Sequence, residues 1–247
     1  EPVRDDEPLV RELLERLLRD AEDTSAFDEL IEARYLRERF VTSKLLHGVG
    51  DPDEWAALLD QPALLARLRE RIELRFALGS PERFARDEEV SLTVELKNVR
   101  ELTIKVFRLN VASVFHATGR DVGLSIDLDG LVPELQRVEA IDAPALRRET
   151  RSFSFPELSE PGVYVIDFLG GGRNSRALVR KGSLRLVERP TAAGQVVRVI
   201  DERGRACPSA TLWLGGRDYR PDEEGRILVP YTGSPGTKQV LLQDGGL

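Results

Sequence analysis

The sequence predicts a mainly β protein with an N-terminal α-helical segment, its β part folded as antiparallel sandwiches. Three observations lead there. Apolar residues recur three and four apart as far as Leu68. From about Ile72 they alternate with polar residues instead. Turn residues then punctuate the chain at short intervals, at Gly119, Gly130, Pro133, Pro144, Pro161-Gly162 and Gly170-Gly171-Gly172.

Composition narrows the function classes. The 247 residues are 41% apolar and 32% charged, the balance of a globular protein. No apolar run is long enough for a transmembrane helix, and the N-terminus has no basic-then-apolar leader. Cys207, His47 and His116 are one ligand short of a zinc site of Cys/His type. The net charge is −7, and all of it lies in residues 1–75, which hold 19 acidic and 12 basic side chains. The remainder holds 24 of each. No dense basic patch exists, so nucleic acid is not an expected partner. The chain has no Met, not even at position 1, which predicts a piece of a longer protein.

Leu9, Val10, Leu13, Leu14, Leu17 and Leu18 form two adjacent rows on one apolar helix face. Glu12, Glu15, Arg16 and Arg19 fill the other face. Asp23-Thr24-Ser25 interrupts the pattern and offers N-caps. A second helix is expected next, with Phe27, Leu30, Ile31, Leu36 and Phe40 in its core and Gly48 as its stop after His47. Asp51-Pro52-Asp53-Glu54 starts a third, with Asp51 as N-cap and Pro52 at the first helical position. Trp55, Leu58, Leu59, Leu64, Leu65 and Leu68 line the apolar side, and Pro62 opens a new segment. Short helices are marginal alone. These either bury their faces in a small bundle or offer a docking surface to another domain or chain.

Val90, Leu92, Val94 and Leu96 alternate with polar residues in a half-buried strand, and Leu102, Ile104, Val106 and Leu109 continue the style. Asn98-Val99-Arg100-Glu101 links the two. Further strands are expected at 111–115, 122–126, 136–141, 150–155, 163–168, 175–180 and 184–187. Residues 188–194, with Pro190 and Gly194, read as an interdomain linker. Beyond it come strands around Val196–Ile200, Pro208–Leu214, Ile227–Val229 and Val240–Leu242, with Asp-x-x-Gly turns at Asp201–Gly204 and Asp222–Gly225. The expected division is 1–71 helical, 72–188 a first sandwich and 191–247 a second, which breaks off before the seven strands such a fold usually has.

Phe153-Ser154-Phe155-Pro156, followed by Pro161-Gly162-Val163-Tyr164-Val165-Ile166, resembles the late strands of a macroglobulin-type domain. Val94–Lys97 and Leu102–Leu109 resemble its paired early strands. The overall likeness is to the large bacterial proteins similar to alpha-2-macroglobulin. The strand and Asp-x-x-Gly order after residue 191 resembles a transthyretin-like or carboxypeptidase-regulatory-like sandwich. The resemblance implies an immunoglobulin-like module of a large multidomain protein, in an extracellular or cell-envelope setting. Its implied roles are protease trapping or scaffolding. Its implied partners are other domains of the same chain, and proteins or proteases. The helical segment lies outside that pattern.

No catalytic, cofactor or metal constellation is expected. Asp127-Leu128-Asp129-Gly130 places its Gly too early for a calcium loop and reads as a turn. Gly170-Gly171-Gly172 lacks the following helix of a phosphate cradle and reads as a hairpin. Cys207 lies outside a Cys-Gly-Glu-Gln thioester motif and has no nearby His in sequence to activate it. His116, after Val114-Phe115, reads as a strand-edge residue. The function expected is a non-enzymatic protein-interaction module. The alternative is a carbohydrate or envelope-polymer binder, for which Trp213 and Tyr219 would be the platform.

Overall fold

A computed structural model describes residues 6–233 and 236–245. Four helices come first: α1 (Glu7–Leu17), α2 (Ala33–His47), α3 (Pro52–Ala57) and α4 (Pro62–Glu70). The six apolar residues of α1 and its cap do not act as one face. Leu14 and Leu18 are buried with Leu36, whereas Leu9, Val10, Leu13 and Leu17 are exposed. The second helix starts later than Asp23-Thr24-Ser25, which flanks only a single 3₁₀ turn, Ser25–Phe27. Its cap is Glu32, whose carboxylate accepts from the Arg34 and Tyr35 N–H groups. Leu30 falls between the two and is 80% exposed rather than core. Gly48 ends α2 at φ +66°, Asp51 caps α3, and Pro62 opens α4, as expected.

The middle sandwich packs a three-stranded sheet on a five-stranded one. The first has the order β1-β3-β6, from β1 (Glu73–Phe76), β3 (Val90–Lys97) and β6 (Glu149–Phe155). The second contains β2 (Arg83–Phe84), β4 (Glu101–Leu109), β5 (Leu135–Ala140), β7 (Gly162–Gly170) and β8 (Arg173–Lys181). Its order is β2-β8-β7-β4-β5, antiparallel except for the short β2–β8 pair. Val90, Leu92, Val94 and Leu96 meet Leu102, Ile104, Ile166 and Phe168 in the core. Phe168 presents its ring to Phe76 and Phe155 at centroid distances of 5.4 and 6.4 Å. The Tyr164 hydroxyl donates to the Glu160 carbonyl at 2.8 Å. This is the tyrosine corner that marks immunoglobulin-type sandwiches.

Two expected strands are absent. Residues 111–115 belong to helix α5 (Val111–Thr118). Its β-branched residues favour strands, but the Asn110 side chain accepts from the Ser113 N–H at 2.9 Å and Gly119 closes the end at φ +64°. Residues 122–126 form a loop. Its carbonyls bond to side chains instead of a neighbouring strand: Arg180 donates to Val122, and Arg176 to Leu124 and Ile126. Val111, Val114, Val122 and Ile126 together cover the outer face of the five-stranded sheet. That is why β7 is buried on both faces and reads Val163-Tyr164-Val165-Ile166 without alternation.

The linker reading of 188–194 is corrected as well. Strand β9 (Leu184–Thr191) runs through it and pairs along its length with β10 (Gly194–Asp201). Leu184 and Leu186 pack on the C-terminal core. Pro190 is tolerated because β9 lies at a sheet edge. At the turn, Gly194 stands at φ +147°, and a Cβ there would strike the Val229 carbonyl. The C-terminal sandwich pairs sheet β13-β10-β9 with sheet β12-β11-β14, from β11 (Thr211–Leu214), β12 (Arg217–Tyr219), β13 (Ile227–Val229) and β14 (Val240–Gln243). The two Asp-x-x-Gly turns are built alike. Asp201 accepts from the Arg203 and Arg205 N–H groups, and Asp222 from those of Glu224 and Arg226. In each, the Arg after the Gly pairs with the Asp.

Candidate interaction surfaces

Polar groups fix the helical segment to the middle sandwich. Glu15 of α1 is buried and lies 3.2 Å from Arg148, which also donates to Glu73 of β1 at 2.7 Å. Arg71 bridges Glu73 at 2.5 Å, and Arg75 joins Glu12 of α1 to Glu95 of β3. Burial alone would raise Glu73, but the hydrogen bond and charge of Arg148 and the charge of Arg71 hold it below the usual carboxylate value. Lys97 is buried at the end of β3. Its ammonium donates to the carbonyls of Leu68, Arg71 and Ala145. Burial pulls it down to about 8. Beside it, Asn98 stands at φ +55° and donates to the carbonyls of Arg69 and Arg71.

With Leu14 and Leu18 turned inward, α1 shows a second apolar row to solvent. Leu9 is 66% exposed, Leu13 57% and Leu17 51%, with Val10 beside them. Asp6 lies at the head of this stripe. The bundle reading thus accounts for one side of α1, and the other side is left open.

The second apolar surface lies at the other end of the molecule. β4 and β7 span the middle sandwich from the helical contacts near Asn98 to α5 and β9. There the C-terminal sandwich is attached by the first Asp-x-x-Gly turn. Its Glu202 accepts from the backbone N–H of Arg86 at 2.9 Å and of Ser183 at 3.2 Å, and Arg203 pairs with Asp87. Beyond this joint, sheet β13-β10-β9 turns Val197, Val199, Leu186 and Ile227 inward. Its register therefore places Val187 opposite Arg198, Arg189 opposite Val196, and Leu228 opposite Val196, all on the outer face. Val187 is 53% exposed and Leu228 47%. Among the described residues, neither Arg189 nor Arg198 pairs with a carboxylate.

Trp213 and Tyr219 do not form one platform. The register pairs Leu212 with Tyr219 and Trp213 with Asp218, so the two rings point to opposite faces of the β11–β12 hairpin. Tyr219 leans on the C-terminal core, and Arg217 lies over its ring. Trp213 faces α5 and meets Phe115 and His116 edge-on, each at 5.3 Å. His116 is thus a helical residue in the joint between sandwiches. The adjoining cleft is lined by Arg108, Val111, Phe115, Val163, Arg180 and Leu242. Arg83 lines it too, and the other two arginines are paired, Arg108 with Glu160 and Arg180 with Asp121.

The remaining sequence candidates have structural places. Asp127 accepts from the Asp129 N–H in a turn. Gly171 and Gly172 make the β7–β8 hairpin, and Arg176 beyond it bonds to Asp167 and to loop carbonyls. Burial raises the Cys207 thiol, the reverse of what a nucleophile needs. Among the described residues, no group of three or more His, Cys, Asp or Glu is placed to hold a metal, and no helix is long and apolar enough to cross a membrane. Glu15, read from the sequence only as part of the polar face of α1, is buried, and Glu202 and Arg148 had no sequence signal. Each acts through a partner tens of residues away.

The chain is similar to several known proteins. Residues 102–182 match the AbpF first immunoglobulin-like domain, and residues 1–72 match the actin-binding protein F N-terminal domain. Actin-binding protein F of Dictyostelium discoideum is 27% identical over 241 residues, covering 96% of this chain and 10% of that protein. The chain therefore spans about a tenth of the length of this relative. Among solved structures, native alpha-2-macroglobulin of Escherichia coli spanning domains MG0-NIE-MG1 is 16% identical, with 71% of this chain and 64% of that chain covered and a TM-score of 0.44. The piece spanning NIE-MG1 is 15% identical, with 72% and 98% covered and a TM-score of 0.42. The immunoglobulin-type fold of the middle region rests on its own strand order and on the family match.

Proposed function

We propose that this chain is a non-catalytic protein-interaction module of a longer, actin-associated protein, with its contacts carried at its two ends. The observation that carries the reading is apolar surface left open at both: the leucine stripe of α1 and the outer face of sheet β13-β10-β9. Apolar groups displayed in ordered rows on packed elements are how partner surfaces are recognised. The actin association comes from the match to actin-binding protein F. The trap and envelope roles implied by the macroglobulin resemblance draw no support from either of these two faces. The glycan reading loses its platform, since Trp213 is engaged with Phe115 and His116.

Cosedimentation with actin filaments tests the reading, with a spin lacking filaments as baseline. The chain is expected in the filament pellet, and Leu13→Glu or Arg189→Glu/Arg198→Glu is expected to reduce that share. A chain that stays in the supernatant at every filament concentration overturns the actin association.

A further inference from the structure

We infer that the two end faces fit each other, so that the α1 stripe of one copy docks on the outer face of sheet β13-β10-β9 of a second copy, head to tail. This rests on the reading that both faces are contact surfaces, and it names the occupant.

Size agrees first. Leu9, Leu13 and Leu17 span eight residues of helix, about 12 Å at 1.5 Å per residue. Val187, Val196 and Leu228 lie on three neighbouring strands, a width of about 10 Å at 4.8 Å per strand. One helix row thus covers one three-stranded patch.

Charge agrees second. The helical third of the chain holds the entire net charge of −7. Asp6 at the stripe, and Glu22 and Glu29 in the same segment, are exposed and pair with no cation among the described residues. The sheet face is of opposite sign. Arg185, Arg189 and Arg198 point outward among Val187, Val196 and Ile200, and no outward position of β9 or β10 from 185 to 200 is acidic. Pairing one helical segment with another would set two net-negative segments together, and sheet with sheet would set Arg against Arg. Only the unlike pair is complementary.

Geometry decides between self and second copy. The two faces lie at opposite ends of the middle sandwich, each fastened there by buried or paired groups. One chain cannot fold its head onto its own tail. The contact is therefore between copies and heterologous, and repeated use of it gives a row or a ring.

Sedimentation velocity of residues 1–247, with no filaments present, tests this. The parent is expected to form concentration-dependent species larger than a monomer, weakened by added salt. Leu13→Glu alone and Arg189→Glu/Arg198→Glu alone are each expected to associate at least about tenfold more weakly. Mixed in equal amounts, the two variants retain one intact tail and one intact head between them. They are expected to form a dimer and nothing larger. The milder Leu13→Ser and Arg198→Gln are expected to give the same order with smaller losses, and unfolding midpoints equal to the parent confirm the fold. A parent that is monomeric throughout overturns the proposal, as does either charge variant associating like the parent. In both cases pelleting with actin filaments still decides the broader reading, because it needs no self-association.

Discussion

Arg148 is the residue on which the helical end depends. It is buried between Glu15 and Glu73, which reach it from α1 and β1. Arg148→Ala leaves two carboxylates short of a partner in a buried site, and we expect a loss of about 3–5 kcal/mol in chemical denaturation. Acid acts on the same region. His47 is held below its ordinary 6.5 by burial, and Glu73 below 4.5 by Arg148 and Arg71. In both cases the unfolded chain binds protons first as pH falls. The contribution of these two groups is therefore full above about pH 6.5 and declines through two windows, below 6.5 for His47 and below 4.5 for Glu73. A Trp213→Phe chain leaves Trp55 of α3 as the sole indole, and its unfolding midpoint across pH reads this directly. A midpoint flat from pH 7 to 4 would contradict the assignment.

Among the elements, α1 and the β9–β10 hairpin show what residue patterns can and cannot convey. The helix itself was legible from its leucines, because burial on either side of it produces the same period. Which row meets the core was not, since that is set by Leu36 and the later strands. The difference is measurable. Leu18→Ala, at a fully buried site, is expected to cost about 2–5 kcal/mol, whereas Leu13→Ser should stay within about 0.5 kcal/mol in stability. Helix α5 was missed because Val111, Val114 and Phe115 suit a strand, and the deciding signals were the Asn110 cap and Gly119. The linker was misread because Pro190 and Gly194 mark loops in most settings. Here one sits on a sheet edge and the other at a hairpin where a side chain has no room. Gly194→Ala is expected to lower the thermal midpoint of the C-terminal sandwich, and an unchanged midpoint would show that the hairpin can relax.

At the scale of the molecule, the sandwich architecture was readable from alternation and turn spacing, but the joints between parts were not. Glu202 reaches backbone amides over a hundred residues away at Arg86, and Trp213 finds Phe115 and His116 only once both sandwiches are folded. Trp213→Ala and Glu202→Ala are expected to loosen this joint. Limited proteolysis should then cut between residues 181 and 184 faster than in the parent, with each half remaining folded. The interaction faces were half visible. The leucine stripe was in the sequence, while the sheet face appears only when the register brings Val187, Val196 and Leu228 together with Arg189 and Arg198.

The central claim is that the open apolar ends are contact surfaces for protein partners in an actin setting. Its most direct test is filament cosedimentation of residues 1–247 beside Leu13→Glu and Arg189→Glu/Arg198→Glu, each spun with and without actin. The account predicts a parent that pellets with filaments above its baseline and loses that pelleting when an end face is charged against its partner. A parent confined to the supernatant, or variants pelleting with filaments as well as the parent does, would contradict it.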